Sequence, residues 1–422
     1  MPVIQPVRGT RDFYPEDMAF RQWLNLKIRE ASEQFGYQEY DGPFLERLEL
    51  YAAKSGDELV KEQSYVFPDR SGSMIALRPE LTPSLARMVA QRGKGLALPL
   101  RWWSFGPFWR YERKQKGRSR EFFQWNIDLI GVDSPKADAE LVAVAATLFR
   151  NVGLTPEMIR IKVNNRRLAE EQFRAIGIQG ELLPKTFRLI DRQDRMTLDA
   201  WKSYALESGL NEGQITGLVK VLEDLEAWKS SPEMIQYFKA AKALGAEEYL
   251  DYDPTVIRGL DYYTGTVYEA RDVKGNHRSI LGGGRYDDLV SEVGGALVPA
   301  TGFAMGDVVF GLVLDENGIK PDLRVSPADI LITTFEESSE SFSIQTAKEL
   351  RDAGYRVEWY PEPVRLQRQI KYADRNEIPL AVIMGPDEME AGKVSLKNMV
   401  SGEQETFPRS DLLSRIKAQL AD

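Results

Sequence analysis

The sequence predicts an α+β domain with a mainly antiparallel sheet over residues 1–325, carrying a helical insertion at about 166–250, followed by an α/β domain over 326–422. Three observations carry this. Leu100 to Gly131 reads as two long strands joined by a polar turn, because large β-forming residues occur at strand length on both sides. From Arg166 to about Leu250 the pattern turns helical. After Pro321 the chain alternates strand, helix, strand, helix, the signature of parallel strands with helical crossovers. A chain of 422 residues has ample length for two such cores.

Composition narrows the chemistry. Cysteine is absent, which excludes disulfides, thiolate nucleophiles and cysteine metal sites. Histidine occurs once, at His277, expected to be an exposed loop residue, so clusters of histidine ligands and paired catalytic histidines are excluded. The N-terminus MPVIQPVRGTRDF lacks the apolar core of a signal peptide, and no apolar run approaches the ~20 residues of a membrane helix. A net charge of -9 argues against bulk coating of nucleic acid but leaves room for a local basic patch. The chemistry therefore runs on carboxylates, arginines and an exogenous metal.

The elements follow in order. A helix is expected from Met18 to Phe35, ended by Gly36. FGYQEYDGPFLERLELY then gives a short strand, Pro43 and a further helix. Ser64 to Leu77 reads as a hairpin with Asp69–Gly72 as its turn. In LRPELTP, Thr82 is the expected cap of the next helix and Pro83 its first residue. Glu80 is a polar group there, read either as a capping carboxylate or as a ligand.

The Leu100–Gly131 stretch concentrates polar groups at its strand ends. Arg110, Arg113, Lys114, Lys116, Arg118 and Arg120 crowd its turn, opposed by Glu112, and Gly117 supplies the bend. Gln124 and Asp128 are four apart on one strand and so share a face. A cation and two polar groups on one face make a floor for a small, polar, phosphorylated ligand. FWRYERKQKGRSREFFQWNIDLIG resembles motif 2 of a class II aminoacyl-tRNA synthetase, in the form used by the histidyl-tRNA synthetase family.

Ala137 to Arg150 is expected to be an amphipathic helix, and Ile159 to Asn165 an edge-type strand. RGLDYYTG, carrying Arg258, Asp261, Tyr262 and Tyr263, resembles a segment specific to the histidine family, and a strand follows it from Thr264 to Ala270. ILGGGRYDDLV resembles a second such segment, whose glycines let a backbone approach a ligand closely. ATGFAMGDVVFGLVL sits where class II motif 3 belongs, but Val308 and Val309 occupy the family's acidic and arginine positions. The tail resembles the anticodon-binding domain of the histidine, proline, threonine and glycine enzymes. Its second helix places Arg365, Arg368, Lys371 and Arg375 on one stripe, either a solvated face or a phosphate-binding one.

The resemblance implies activation of histidine by ATP with Mg²⁺, then transfer to a histidine tRNA, by a cytoplasmic homodimer dimerising through the Gly36–Tyr51 segment. It implies Arg258 and Arg110 as catalytic groups. Histidine would be held by Glu80, Thr82, Gln124, Asp128, Arg258, Tyr262, Tyr263 and Tyr286. ATP would be held by Arg110, Glu112, Arg113 and Arg118, and tRNA by Lys114, Lys116, Arg365, Arg368 and Lys371. Protein ligands for the metal are not identified. The alternative is a catalytically retired paralogue that binds histidine and regulates a partner, such as the regulatory subunit of ATP phosphoribosyltransferase; Val309 points that way, and the tail domain points back to the ligase.

Overall fold

The structure is a computed structural model that describes residues 3–52, 63–111, 117, 119–193, 196–257 and 262–420. The chain forms two compact units, Met1–Asp12 with Trp23–Lys320 and Phe13–Gln22 with Pro321–Asp422. The boundary thus falls at Lys320, before the expected 325, and a stretch of the first helix groups with the second unit.

The first unit is built on an eight-stranded sheet, ordered β1-β5-β6-β11-β10-β9-β7-β8. Its strands are β1 (Gln38–Glu39), β5 (Leu100–Trp109), β6 (Glu121–Ile130), β7 (Ile159–Asn165), β8 (Leu250–Tyr252), β9 (Thr266–Asp272), β10 (Leu281–Arg285) and β11 (Ala300–Gly306). The five central pairings are antiparallel, while β1 on β5 and β8 on β7 are parallel. Ile159–Asn165 is therefore not the edge strand expected; β8 covers it. A second, three-stranded sheet pairs β2 (Leu45–Arg47), β4 (Met74–Leu77) and β3 (Val66–Pro68), the last two closing the expected Asp69–Gly72 turn.

One face of the large sheet is sealed. The helix Pro135–Asn151 is capped by Ser134 and is buried nearly all round, so it is a core helix rather than an amphipathic one. The first helix, Pro15–Gln34, buries Leu24, Ile28 and Ala31, and Gly36 ends it at φ +77. On this sealed side Arg285, 1% exposed, is bound by Asp138, Asp287 and the carbonyls of Val132 and Ser134. A buried guanidinium so fully occupied is structural. The opposite face of β5, β6, β10 and β11 carries the functional candidates.

The helical insertion consists of Arg166–Ala175, Leu182–Asp191, Leu198–Glu207, Glu212–Glu223 and Pro232–Ala243. Side chains of Asn165, Thr197 and Asn211 cap three of these helices, and Phe173, Trp201 and Leu218 lie in the core of the insertion. His277 is not an exposed loop residue. Its side chain is 6% exposed and meets Glu316 at 2.5 Å.

The second unit has a five-stranded sheet, β13 (Val357–Trp359), β12 (Ile330–Ile332), β14 (Leu380–Ile383), β15 (Lys393–Asn398) and β16 (Gln404–Pro408). Only β13, β12 and β14 are parallel; β15 and β16 return antiparallel, because each follows a connection too short for a crossover. The helix Glu337–Asp352 begins four residues before the expected Ser341, where Glu336 and Ser339 cap each other.

Candidate functional site

The open face of the sheet is shaped by glycines. Trp102 on β5 lies directly opposite Asp128 on β6, and Asp128 lies opposite Gly302 on β11. A Cβ on Gly302 would stand 2.0 Å from the Asp128 carboxylate, so only glycine leaves room for that side chain. A Cβ on Gly284 would meet the Tyr263 ring at 2.9 Å and the Thr266 carbonyl at 2.6 Å. The glycine run was expected to admit a ligand. In the structure it is strand β10, and what approaches Gly283 and Gly284 closely is the protein itself.

Asp128 is the electrostatic centre. It is 4% exposed and accepts a hydrogen bond from the Tyr286 hydroxyl at 2.5 Å. Burial pushes its carboxyl up to about 7, and the Tyr286 bond only partly offsets that. A carboxylate poised in this way gains most from a ligand that brings its own N–H donor.

A file of tyrosines joins Asp128 to the turn before the helix Thr82–Arg92. Tyr286 packs edge-on against Tyr262 with ring centres 6.0 Å apart, and Tyr262 packs against Tyr263 at 4.9 Å. The Tyr262 phenol is raised mainly by burial, then by Tyr263 and Glu80, with Thr82 close by. Thr82 is not the expected cap. Leu81 takes that position in helical conformation, with no side-chain cap bond, and Thr82 begins the helix close to Tyr262. Glu80 is buried beside it, 7% exposed.

The turn that carries Glu80 is fastened on both sides. Trp109 N–H donates to the Arg78 carbonyl, and Arg110 Nε to the Pro79 carbonyl at 2.9 Å. Arg78 is fully buried. It donates to Asp41 and to the carbonyls of Gly42 and Pro107, and lies between the rings of Phe44 and Phe108. Nothing in the sequence marked Arg78 as more than part of a motif. The Arg110 guanidinium sits 5.3 Å from the Phe122 ring centre, on the strand that also carries Gln124. The Gln124 Oε1 is buried with no partner among the described residues, an acceptor awaiting N–H donors.

At the motif 3 position, the helix Asp307–Glu316 starts with Asp307, which accepts from Phe123 N–H at 2.9 Å and from Arg11 at 2.8 Å. Val309 is buried, and a Cβ on Gly117 would touch its Cγ2 at 3.4 Å. Gly117 thus lies close to the side chain that stands at the arginine position. Arg258, Asp261, Glu112, Arg113, Lys114, Lys116 and Arg118 lie outside the described residues. In the second unit, Arg365, Arg368, Lys371 and Arg375 are exposed at the helix Leu366–Arg375, whose other face buries Gln369 and Ala373.

The structure therefore gathers Glu80, Thr82, Asp128, Tyr262, Tyr263 and Tyr286 into one linked set, with Gln124 on the same strand face and Arg110 bolted to the same turn. Such a set can clasp a compact cation-bearing molecule that also carries an N–H donor. Among the described residues no cluster of three or more histidines and carboxylates could hold a metal ion, and no helix is long and apolar enough to cross a membrane.

Comparison with known proteins adds relatives over nearly the whole length. A histidyl-tRNA synthetase family model matches residues 9–307, and an anticodon-binding domain model matches residues 329–419. The chain is 40% identical over 419 residues to a chloroplastic/mitochondrial histidine–tRNA ligase of Arabidopsis thaliana, covering 97% of this chain and 86% of that protein. It is 35% identical over 433 residues to a histidine–tRNA ligase of Opitutus terrae, covering 99% of each. Among solved structures, a histidyl-tRNA synthetase from Nostoc sp. PCC 7120 superposes with a TM-score of 0.82 at 26% identity, covering 99% of this chain and 100% of that one.

Proposed function

Because the chain belongs to the histidyl-tRNA synthetase family, we propose that this pocket activates histidine with ATP and passes it to the 3′ end of a histidine tRNA. One observation carries the reading: a buried carboxylate, Asp128, in an aromatic pocket, on a strand that also carries Gln124, whose buried Oε1 has no partner among the described residues. An imidazole N–H satisfies Asp128, whereas a side chain lacking that donor leaves it buried and unpaired.

In the reaction, an oxygen of the histidine carboxylate attacks the α-phosphorus of ATP. The bond from that phosphorus to the oxygen bridging the β-phosphate breaks, and pyrophosphate leaves. The tRNA terminal ribose hydroxyl then attacks the histidyl carbonyl and displaces AMP. Positioning and charge neutralisation dominate such chemistry, which suits a chain with one histidine. Glu80, Thr82 and Gln124 would hold the α-ammonium by charge-assisted hydrogen bonds. Asp128 and Tyr263 would read the imidazole, with Tyr262 and Tyr286 as the wall. Arg110 would neutralise the α-phosphate, and Arg258 would bridge carboxylate and phosphate as charge develops. Glu112, Arg113 and Arg118 would contact ATP or the tRNA end, with Lys114 and Lys116 toward the tRNA. ATP enters as its Mg²⁺ complex. The exposed stripe Arg365, Arg368 and Lys371 would contact tRNA phosphates.

The working form is a cytoplasmic homodimer, dimerising through the Gly36–Tyr51 segment, where Phe44 and Leu45 are exposed. Light scattering giving a 47.9 kDa particle at micromolar concentration would contradict the dimer.

The test is ATP–pyrophosphate exchange with each amino acid in turn. Exchange with histidine alone is the expected result. Val309, apolar where the family carries arginine, favours the regulatory reading. Histidine binding without exchange, with Mg²⁺ present, would establish that reading instead.

A further inference from the structure

We infer that the N-terminal segment Arg8–Arg11 is a positioning strap for ATP binding, with Arg11 and Asp307 as the pair that sets the base of the basic hairpin. This rests on the reading of that hairpin as the part that grips ATP.

The sheet explains why a further element is needed there. Strand β11 ends at Gly306, opposite Gln124, while β6 continues through Phe123 and Phe122 to Glu121. In an antiparallel sheet the N–H groups of alternate residues point to the same edge. On the edge that β11 leaves, Phe123 N–H donates to the Asp307 carboxylate at 2.9 Å. Two residues along, Glu121 N–H donates to the Gly9 carbonyl at 3.3 Å. A side chain and the strap thus complete the ladder.

The strap is fitted to that place. The Gly9 carbonyl also accepts from Arg120 N–H at 2.9 Å, and the Arg8 carbonyl from the Arg120 guanidinium at 3.4 Å. Gly9 has φ +93, and a Cβ on it would stand 2.7 Å from Arg120 Cγ, so only glycine lets the strap lie against that side chain. Arg120 in turn closes the hairpin. Its carbonyl accepts from Arg110 N–H at 2.9 Å, and its guanidinium lies 3.9 Å from the centre of the Tyr111 ring on the other arm. The strap therefore holds both arms at the level of Arg110.

Arg11 fastens the strap to the helix Asp307–Glu316. The Asp307 carboxylate is buried, and Arg11 binds it at 2.8 Å. A buried carboxylate must be matched by a cation, so this pair fixes where the strap, and with it the hairpin base, can sit. Where the family carries an arginine, this helical turn has Val309, and its charged group, Asp307, serves the strap and β6 instead. The cations left for ATP are those of the hairpin, Arg110, Arg113 and Arg118, and their placement depends on its base.

The test is Arg11→Gln, alone and together with Asp307→Asn, in pyrophosphate exchange with Mg²⁺ present. In the single variant the KM for ATP should rise roughly tenfold, the worth of one charge-assisted hydrogen bond, and the KM for histidine should not move. Arg11→Lys, which keeps the ion pair, should recover most of the affinity for ATP. The double variant leaves no unmatched buried charge, so it should keep the parent's melting temperature. Its KM for ATP should be no higher than that of Arg11→Gln, because both changes undo one fastening. Equal rises in the two KM values would overturn the inference, and so would a lowered melting temperature with an unchanged KM for ATP, since the strap would then serve the fold alone. Calorimetry with ATP separates the two levels: a parent protein that binds no ATP would overturn the hairpin reading along with the strap, whereas normal binding by both the parent and Arg11→Gln would overturn the strap alone.

Discussion

The pocket of the first unit and the basic helix of the second handle charge in opposite ways. In the pocket, Asp128 is 4% exposed, hydrogen-bonded to Tyr286 and pushed up to about 7 by burial. On the helix Leu366–Arg375, Arg365, Arg368 and Lys371 stand in water, with their backs on buried Gln369 and Ala373. A charge out of water must be matched group by group, so it discriminates between ligands. Charges in water are screened and act as a sum over phosphates. The pocket should therefore respond to single substitutions steeply and with pH dependence, and the helix gradually and with salt dependence.

The largest effect should come from Arg258→Ala. Activation should slow on the order of 10²–10³-fold, while histidine binding changes little, because the charge is most needed in the transition state. Single-turnover adenylate formation beside equilibrium histidine binding checks this. A change confined to the KM for histidine would remove Arg258 from the reacting centre.

Asp128→Asn comes next. Losing a charged hydrogen bond to the imidazole should lower kcat/KM for histidine by about 10–100-fold. The same variant sharpens the comparison in the opposite direction. The Asp128 carboxyl is raised from its ordinary 3.8 to about 7 in the folded protein. Between those values the folded state holds a proton that the unfolded chain has released. Stability from this residue is thus fully present below about pH 4 and is lost as pH rises through about 7, at roughly 1.4 kcal/mol per pH unit at most. Without substrate, the Asn variant should gain on the parent protein as pH rises from 5 to 8, seen as diverging urea midpoints. Parallel curves would mean that the carboxylate is already ionised and the pocket is wet.

The smallest effect belongs to the helix. Replacing Arg365, Arg368 and Lys371 together by Ala should raise the KM for tRNA about tenfold and flatten its salt dependence. Pyrophosphate exchange should be untouched, and stability should stay within about 0.5 kcal/mol. A matching drop in exchange would erase the contrast between the two regions.

Legibility in the sequence follows the same division. Strand alternation placed Gln124 and Asp128 on one face, and the pairing of β5, β6 and β11 keeps them there. The stripe on the last domain was equally visible, since helical periodicity survives wherever a face is solvated. The pattern S/T-Pro is a local signal that points to Thr82 as a cap, but the fold sets Leu81 there and makes Thr82 the first helical residue, close to Tyr262. His277 was misread as exposed because a polar loop says nothing about a carboxylate, Glu316, that arrives 39 residues later. The triple glycine was legible as a place of close approach, but not as to what approaches.

Local pattern by itself determined the hairpins, the helical insertion, the alternating tail and the strand face that carries Asp128, because each depends on residues a few positions apart. Only the tertiary structure decided that Gly302 makes room for the Asp128 carboxylate, and that Arg285 is scaffolding while its neighbour Tyr286 faces the pocket. The reason is physical. Burial and hydrogen-bond satisfaction are properties of a closed environment, assembled here from β5, β6, β10 and β11, and no single stretch of sequence contains all of its walls.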